Sequence, residues 1–475
     1  MPTPQSLSVK RAEVEFHNFA SLGEPERALA AYAEENRRRG AVIRNHLAFI
    51  GPMSPFLEIG ANVGHTSYML ANEFGAEGFA LDISADALRY GAFLMDAWKL
   101  SRAPVRVAGD AVNLPFRDGS LRMVLAFQML SQFMDIESVF VEVKRVLAPG
   151  GIFLFAEEPL RRLLSMRLYR APYYNTMKGW ERKLYDWGLL GYLVKDVIGA
   201  HQEESFGIRQ NHTMYLHDWH RLITRHFAGQ EYEIFVREHG WGETAMRRLA
   251  VRLDPHGSVW RAALLLGGTL AAVCRKAGES APGAAIDRFE TFLRCPDCHG
   301  PLERDAADTL ACACGYRAAN EGGVYNLLAA ADRAELYPGD REDVIDFSLP
   351  SHAGRLLEGW YELEGVFGNK YRWIGAHAAA RLVRQRPGPQ RVRIRGHAHE
   401  KSLAQGQPLR IEVLANGQKV NATELDRSGL FVIEAALPQA PEYRIDIHAS
   451  PVWTAPPDDR VFTVNLSMIR LVPAD

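Results

Sequence analysis

Cysteine is scarce in this sequence, and its distribution is uneven. The chain has five cysteines in 475 residues, and four of them fall between Cys295 and Cys314. A disulfide-stabilised secreted fold would spread its cysteines over the whole chain, so this pattern argues against that class. It predicts instead one metal site and a separate thiol at Cys274.

Charge of one sign and long apolar runs are also lacking. The 55 Lys and Arg residues nearly balance the 57 Asp and Glu residues, for a net charge of −2, so nucleic acid is a disfavoured partner. The longest uncharged apolar stretch, 262–274, has 13 residues, short of the roughly 20 that span a bilayer. Residues 1–16 are polar and predict no signal or transit peptide, which favours a cytoplasmic protein.

The length and the apolar periodicity predict a chain of several domains. At roughly 150 residues per domain, the chain corresponds to about three. Alternating strand and helix patterns over 40–160 predict a Rossmann-like α/β domain with a mostly parallel sheet. From about residue 345 the apolar period becomes two, and Asn416-Gly417 predicts a type I′ hairpin, so we expect a β-sandwich there.

Composition sets the expected boundaries between these domains. We expect an α/β domain at 1–276 with a helical lid at about 160–212, a polar linker at 277–290, a cysteine module at 291–330 and the β-sandwich at 331–475. Basic and apolar residues on a predicted helix at 161–170 suggest contact with the inner membrane surface or a lipid-linked substrate. An ordinary amphipathic helix has the same pattern.

Within the α/β domain the pattern predicts individual elements. Asp218 is the expected N-terminal cap of the last helix. The predicted strands are 55–59, 78–82, 105–108, 123–127, 152–156, 232–236 and 269–274, and the predicted helices are 64–74, 84–98, 136–147 and 219–226.

The first strand ends in a glycine-rich turn. Glu58-Ile-Gly60-Ala-Asn62-Val-Gly64 closes the strand and opens a helix, where backbone N–H groups can meet a ligand. Asp82 ends the second strand, at the position from which a carboxylate takes both ribose hydroxyls of a nucleotide. Asp110 follows the third strand at the same edge of the sheet. The turn alone also fits an ordinary strand-to-helix connection or an NAD site.

Together with Leu114-Pro-Phe116 and the segment 142–151, these motifs resemble class I S-adenosylmethionine-dependent methyltransferases of the small-molecule type, with a seven-stranded sheet. The resemblance implies that Asp82 holds the ribose and that Asp110 meets the adenine. This sequence departs from the family at Asn62, where a glycine usually stands, and at Arg122, where an acidic residue is frequent. The implied cofactor residues are Glu58, Gly60, Asn62, Gly64, Asp82, Ile83, Asp110, Ala111, Phe127 and Gln128; Gly60 and Gly64 flank the methionine part, and Phe127 or Gln128 faces the sulfonium.

The acceptor is less well specified than the cofactor. The segment 126–132, after the fourth strand, lacks the Asn/Asp-Pro-Pro-aromatic loop of resembling enzymes that act on nucleobase and protein amides. Oxygen, carbon and small-molecule nitrogen remain as acceptor atoms. A hydroxyl acceptor needs a general base. The candidates are His212 and His17, which we favour, with His65 and the acidic pair Glu157-Glu158 as further choices.

The cysteine module carries a predicted zinc site. Cys295-Pro-Asp-Cys298 and Cys312-Ala-Cys314 supply four thiolates on two tight turns, as tetrahedral zinc requires. A redox pair is the alternative for a Cys-x-x-Cys motif. The surrounding sequence resembles small zinc-ribbon proteins that partner and stabilise methyltransferases, although Cys312-x-Cys314 is tighter than their usual spacing. A site closed by four cysteines would be structural.

The C-terminal region contributes aromatic residues that would stack on sugar rings or pack a core, among them Trp360, Trp373 and Trp453. It resembles β-sandwich modules attached to bacterial glycan-assembly enzymes. We therefore predict an enzyme that methylates a hydroxyl of a sugar or lipid-linked glycan in surface polysaccharide biosynthesis. The alternatives are a tRNA or translation-factor methyltransferase, and a non-catalytic scaffold that binds glycans or a partner.

Overall fold

A computed structural model describes the chain as two compact units. One unit holds the described residues of 24–198 and 209–330, and the other holds those of 331–475 together with Lys10 and Val14. Within the described ranges, we find no helix with the length and apolar character needed to cross a membrane. The described residues are 10, 14, 25–133, 135–161, 169–171, 178–186, 194–197, 214–235, 251–252, 254–255, 257, 260–261, 263–264, 268–280, 282–347, 349–366, 369–403, 407–426 and 428–474.

The first unit has fourteen strands among its described residues. They are β1 (Phe56–Ile59), β2 (Gly78–Asp82), β3 (Val105–Ala108), β4 (Leu121–Phe127), β5 (Leu147–Leu160), β6 (Tyr169–Ala171), β7 (Val194–Val197), β8 (Gly229–Phe235), β9 (Val251–Arg252), β10 (Gly268–Arg275), β11 (Glu303–Arg304), β12 (Thr309–Ala311), β13 (Arg317–Glu321) and β14 (Val324–Asn326). Twelve of them build one wide mixed sheet in the order β11-β12-β13-β14-β3-β2-β1-β4-β5-β10-β8-β9, and β6 and β7 pair in a separate two-stranded sheet. Pairs among β1 to β5 are parallel, and β10 is antiparallel to both neighbours. The α/β prediction is confirmed, and the sheet is wider than the seven strands expected.

Helices alternate with the central strands. They are α1 (Pro25–Asn45), α2 (Leu47–Ile50), α3 (His65–Glu73), α4 (Ala85–Tyr90), α5 (Phe93–Ala97), α6 (Ile136–Val146), α7 (Gly179–Asp186) and α8 (Leu216–His226). Every residue of β1 and β4 is buried, which explains the continuous apolar runs of these strands. Helix α6 begins after Asp135, whose side chain accepts a hydrogen bond from the Ser138 N–H at 3.2 Å. Its Phe140 packs against Phe153 and Phe155 of β5.

Two predicted helices differ from the structure in detail. The helix expected at 84–98 is interrupted at Gly91, between α4 and α5. A Cβ at Gly91 would lie 2.0 Å from the Val63 carbonyl oxygen, so the chain approaches the glycine-rich turn too closely for another residue. The cap prediction for Asp218 is wrong, because α8 begins at Leu216 and Tyr215 takes the cap position. Asp218 lies in the first turn, where its charge still favours the helix.

The predicted lid is described only in part. Its described residues include α7 and the strands β6 and β7, which pair in parallel, so this segment is not purely helical. Tyr169 and Arg170 belong to β6, so the helix predicted at 161–170 does not reach its expected end. Residues 162–168 lie outside the described residues.

The cysteine module continues the sheet of the α/β domain. Strand β14 pairs in parallel with β3, and the Leu327 N–H donates to the Ala108 carbonyl at 2.7 Å. The stretch 277–290, predicted as a linker, runs against the same domain, where the Ala284 N–H donates to the Ser54 carbonyl at 3.2 Å. The side of β3 that faces away from β2 is therefore paired with the cysteine module.

The C-terminal unit confirms the predicted all-β region. Its strands are β15 (Val344–Asp346), β16 (Leu356–Val366), β17 (Asn369–Val383), β18 (Gln390–Ala398), β19 (Leu409–Ala415), β20 (Gln418–Leu425), β21 (Gly429–Ala436), β22 (Glu442–Ser450), β23 (Trp453–Ala455), β24 (Asp458–Phe462) and β25 (Val464–Pro473). The main sheet has the order β20-β19-β22-β17-β25-β18-β21. Asn421 of β20 donates its side-chain N–H to the Glu434 carbonyl of β21 at 3.3 Å. One sheet therefore nearly closes on itself, where we expected two stacked sheets.

The predicted hairpin is confirmed in this unit. Asn416 and Gly417 connect β19 to β20 with positive φ angles of 50° and 81°. A type I′ turn requires this conformation at both central residues.

Candidate active site

The turn between β1 and α3 lies at the carboxyl edge of the sheet. Asn62 and Gly64 adopt positive φ angles of 52° and 79°, and Gly64 directly precedes the first turn of α3. Gly64 has no side chain that could cap the helix. A helix that starts from such a turn presents backbone N–H groups and a partial positive charge to a ligand.

Glu58 supports this turn from inside the sheet. Its carboxylate accepts hydrogen bonds from the Ser67 N–H at 2.8 Å and the Ser67 hydroxyl at 2.6 Å. Burial raises the pKa of Glu58 to about 7, although the positive charge of Arg39 acts in the opposite direction. Glu58 therefore anchors the start of α3.

Asp82 joins the ends of the first two strands. Its Oδ2 accepts the Asn62 N–H at 2.7 Å, and its Oδ1 accepts the Ser84 N–H at 2.8 Å. A carboxylate offers about four lone-pair sites, so the oxygens that hold the turn can also accept ribose hydroxyls. Ile83, another predicted cofactor residue, is half-buried next to Asp82.

Asp110 forms a tight turn after β3. Its side chain accepts the Val112 N–H at 3.0 Å, and both Asp110 and Ala111 are buried. The side chain of Asn113, in the same loop, donates to the Pro296 carbonyl at 3.0 Å. The loop predicted to meet the adenine is thus tied to the cysteine module.

Glu158 fixes the segment that follows β4. Its buried carboxylate accepts three consecutive backbone N–H groups, those of residues 129–131, at 2.8 to 3.0 Å. Phe127 is buried and Gln128 is exposed with a φ of 52°. The two residues predicted to face the sulfonium therefore lie beside a rigid loop. The two residues of the predicted acidic pair have different partners. Glu158 binds this loop, whereas Glu157 accepts a hydrogen bond from Arg39 of α1.

Arg39 of α1 connects the elements around this edge, although no motif in the sequence singles it out. Its guanidinium donates to Glu157 Oε2 at 3.0 Å and to Thr66 Oγ1 at 2.8 Å. It also lies 4.6 Å above the centre of the Phe127 ring and 3.2 Å from Glu35 Oε2. One side chain thereby joins α1, α3 and the ends of β4 and β5.

Helical periodicity is the sequence signal that could have found Arg39. Three arginines follow one another in α1. Consecutive residues of a helix point in different directions, so only one of the three can lie on the face that packs against the domain. The exposed fractions of the Arg37, Arg38 and Arg39 side chains are 55%, 35% and 7%. The buried member of the run is the one that reaches the site.

The predicted general bases are only partly described. His212 and His17 lie outside the described residues. His65 is buried, and its Nε2 lies 2.8 Å from both Glu35 Oε2 and Arg39 Nη1. Burial lowers the pKa of His65, so this side chain remains a neutral hydrogen-bonding group.

These residues fit S-adenosylmethionine. Among the described residues, Asn62 Oδ1 is buried without a hydrogen-bond partner, which a polar ligand group would correct. Asp82 and Asp110 follow neighbouring strands and offer carboxylate oxygens to hydroxyl and amino groups. Gly64 directly precedes α3 and leaves the first turn of the helix without a capping side chain.

The four predicted metal ligands come together. All four Sγ atoms of Cys295, Cys298, Cys312 and Cys314 lie within 4.8 Å of one another. The Cys295–Cys314 and Cys298–Cys312 pairs have Sγ separations of 3.7 and 3.4 Å. A tetrahedron with zinc–sulfur bonds of about 2.3 Å has edges of roughly 3.8 Å, whereas a disulfide needs about 2.05 Å. The cluster fits zinc, and Cys274 is buried and separate.

Comparison with known proteins also indicates a methyltransferase domain. Residues 57–155 match the family described as a methyltransferase domain. The chain is 30% identical to norajmaline N-methyltransferase of Rauvolfia serpentina over 95 residues, 20% of this chain and 32% of that protein. It is 31% identical to a sterol 24-C-methyltransferase of Gibberella zeae over 126 residues, 26% of this chain and 33% of that protein.

Two further similarities extend this comparison. The chain is 25% identical to tocopherol O-methyltransferase of Arabidopsis thaliana over 130 residues, 27% of this chain and 35% of that protein. Phosphoethanolamine N-methyltransferase 2 of Haemonchus contortus, solved in complex with S-adenosyl-L-methionine, aligns with a TM-score of 0.30 and 17% identity over 49% of this chain and 52% of that chain. The chain spans about a third of the length of the three curated relatives.

The fold, the strand-end residues and the family match define a class I S-adenosylmethionine-dependent methyltransferase domain. In this chain the domain carries a four-cysteine module on its sheet and is followed by an all-β region.

Proposed function

We propose that this protein transfers a methyl group from S-adenosylmethionine to a small molecule. The observation that carries the proposal is the set of Asn62, Asp82 and Asp110 at one edge of the sheet, within a segment that matches the methyltransferase family. Gly60 and Gly64 would flank the methionine part, Asp82 would hold the ribose, and Asp110 and Ala111 would border the adenine. When bound, the cofactor supplies an electrophilic methyl group on a sulfonium.

The described side chains serve mainly to orient the reactants. Methyl transfer is an in-line displacement, so alignment accounts for most of what the protein must provide. Glu158 holds the backbone after β4 through three hydrogen bonds, and Arg39 holds Phe127 and α3 from the other side. Phe127 and Gln128 would then face the reacting methyl group.

The acceptor class we propose is a hydroxyl of a sugar or lipid-linked glycan. Half-buried aromatic side chains of the C-terminal unit support it, since Trp373 and Trp453 lie 5.7 Å apart, with the His399 ring stacked on Trp453. Lys401 lies over the Trp453 ring, so a sugar would share this surface with a cation. The names of the relatives include nitrogen, carbon and oxygen acceptors. His212 and His17 remain the candidate bases for a hydroxyl.

We also propose that Cys295, Cys298, Cys312 and Cys314 bind one structural zinc ion. Four cysteine ligands fill a tetrahedral site and leave no position for a substrate. The bound metal would hold the two cysteine turns together beside the Asp110 loop.

Calorimetric titration with S-adenosylmethionine tests the proposed function. We expect the folded wild-type protein to bind one equivalent and Asp82→Ala to bind at least about tenfold more weakly, since hydrogen bonds to a carboxylate are lost. Asp86→Ala is the matched control, because Asp86 lies in the first turn of α4 and pairs with Arg89. Absence of binding to folded wild-type protein would contradict the proposal and favour a non-catalytic scaffold.

Transfer of a labelled methyl group identifies the acceptor. Nucleotide sugars and glycolipids are expected to accept the label, in preference to amines, sterols and tRNA. Labelling confined to tRNA or to amine acceptors would overturn the hydroxyl assignment and leave the cofactor assignment intact.

A further inference from the structure

Three side chains of metal-binding type come together on one face of the C-terminal sheet. They are Glu358 of β16, His377 of β17 and Asp446 of β22, and their ligand atoms all lie within 4.8 Å of one another. His377 Nε2 lies 3.0 Å from Asp446 Oδ1. The side chains of Glu358, His377 and Asp446 are 58%, 32% and 13% exposed, so an ion from solution can reach them.

The register of the sheet explains why these three side chains converge. Glu358 and Asp446 pair with Ala379 from the two sides of β17, so two carboxylates flank one small side chain. His377 precedes Ala379 by two residues in the same strand and therefore projects from the same face. One imidazole and two carboxylates thus border the space above the Ala379 methyl group.

A glycine brings β16 close enough for Glu358 to take part. Gly359 has a φ of 81°, and a Cβ at this position would lie 2.1 Å from the His377 carbonyl oxygen. The pairing of β16 with β17 is irregular on both sides of Glu358. Irregularities of this kind turn side chains toward binding sites, and here the irregularity accompanies the carboxylate that completes the set.

The same place already holds a positive charge. The Arg444 guanidinium donates to Asp446 Oδ1 at 2.9 Å and also to Glu358. Burial opposes ionisation of Asp446, but hydrogen bonds from Arg444 and His377 lower its pKa, so this side chain is a carboxylate at neutral pH. Two carboxylates therefore share one guanidinium. The Arg444 side chain is half-exposed, so a cation of higher charge can displace it into solvent.

We propose that Glu358, His377 and Asp446 bind a divalent transition-metal ion in the place of the Arg444 guanidinium. One imidazole with two carboxylates suits zinc and the neighbouring metals of the first transition row. Zinc with bonds of about 2.1 Å holds tetrahedral ligands roughly 3.4 Å apart, close to the separation of His377 Nε2 and Asp446 Oδ1. Three protein ligands leave a coordination position for water, so this site is open where the four-cysteine cluster is closed.

Calorimetric titration of the full-length protein with Zn²⁺ tests this inference. Three partly exposed ligands hold an ion more weakly than four cysteines do, so gel filtration into metal-free buffer should leave only the ion of the cysteine cluster. We expect the wild-type protein then to bind one further equivalent. His377→Ala and Glu358→Gln should each bind that equivalent at least about tenfold more weakly, because a ligand is lost.

His217→Ala is the matched control for a histidine beside a carboxylate. His217 Nε2 lies 3.4 Å from Asp218 Oδ1, and His217 belongs to no group of three potential ligands among the described residues. This variant should bind the further equivalent with wild-type affinity. Thermal unfolding of each variant shows that the protein remains folded.

Arg444→Gln distinguishes a metal site from a network of ion pairs. The substitution removes the competing charge, so this variant should bind Zn²⁺ about two- to fivefold more tightly than wild type, the range of one exposed ion pair. General loosening of the sheet would weaken the binding instead. Unchanged or weaker binding by folded Arg444→Gln would contradict the position we assign to the ion.

Two further outcomes would overturn the inference. Absence of a further equivalent in folded wild-type protein would show that these three residues form ion pairs and hydrogen bonds only. A further equivalent that persists in both His377→Ala and Glu358→Gln would show that the ion binds elsewhere on the chain.

Discussion

The side-chain amide of Asn113 donates a hydrogen bond to the carbonyl of Pro296 at 3.0 Å. Asn113 belongs to the loop that begins with Asp110, and Pro296 lies between the first two cysteines of the four-cysteine cluster. The backbone repeats this connection, since the Arg294 N–H donates to the Pro115 carbonyl at 3.0 Å. The loop that begins with Asp110 is therefore part of the candidate cofactor site and is hydrogen-bonded to the segment that carries the candidate metal ligands.

Removal of the metal should weaken cofactor binding. Without zinc the turn that holds Asn113 loses its anchor, so chelation should raise the Kd for S-adenosylhomocysteine by several-fold. Asn113→Ala should raise it by about two- to tenfold, the range of one neutral hydrogen bond. Asn320→Ala is the matched control, because this amide bonds Asp308 within the cysteine module. Unchanged affinity of Asn113→Ala would show that this hydrogen bond does not couple the cysteine module to cofactor binding.

Cysteine variants should distinguish the metal ligands from the separate thiol. Cys298→Ser should reduce the zinc content from one equivalent to a small fraction and lower the Tm, because metal-binding free energy contributes to folding. Cys274→Ser should retain one equivalent, since Cys274 lies in β10. Metal analysis after gel filtration measures both. One equivalent of zinc in Cys298→Ser would be incompatible with four-cysteine coordination.

Arg39→Ala should be far more destabilising than Arg37→Ala. Arg39 and Glu157 are 7% and 11% exposed, and loss of one partner of a buried ion pair costs about 3 kcal/mol or more. Arg37 pairs with Glu34 at the surface, where substitutions change the free energy of unfolding by about 0.5 kcal/mol or less. Urea unfolding of the two variants gives the comparison. Similar losses for both would mean that the Arg39 cluster contributes little.

His46 should make stability depend on pH. Its Nδ1 lies 2.5 Å from Glu231 Oε2 and its Nε2 lies 3.4 Å from Glu233 Oε2. Burial opposes the charged imidazole, but hydrogen bonds to Glu233 and Glu231 outweigh it and raise the pKa of His46 above its ordinary 6.5. A group with a raised folded-state pKa stabilises the fold fully below its unfolded-state pKa, and this contribution is lost as the pH rises through the folded-state value.

The variant His46→Gln tests the direction of this pH dependence of stability. It should lower the free energy of unfolding by about 1 kcal/mol at pH 6 and by progressively less as the pH approaches 9. His217→Gln, at a position that is 49% exposed, is the control. A loss for His46→Gln that is constant across this pH range would assign the effect to packing.

The sequence pattern can place candidate site residues that directly follow strands. Asp82 and Asp110 each come at the end of a buried apolar run, and parallel strands bring their carboxyl ends to one edge. The cysteines are predictable for a similar reason, because ligand spacing on two tight turns reflects local geometry.

The residues that sequence reasoning misses act across long distances in the chain. Arg39 reaches Glu157 from a helix that precedes the whole sheet, and no local pattern encodes that contact. The pairing of β14 with β3 likewise depends on strand edges that meet only in the folded unit. Gly91 interrupts a regular helical pattern because Val63, from the glycine-rich turn, lies against it.

The parallel pairing of β14 with β3 has a consequence for synthesis of the chain. An unpaired strand edge is a template for association with other chains, and domains fold in order as they leave the ribosome. Strand β14 is made more than two hundred residues after β3. The nascent α/β domain must therefore persist with an open edge until its own C-terminal extension arrives, and a chaperone that binds extended backbone would have its longest opportunity at β3.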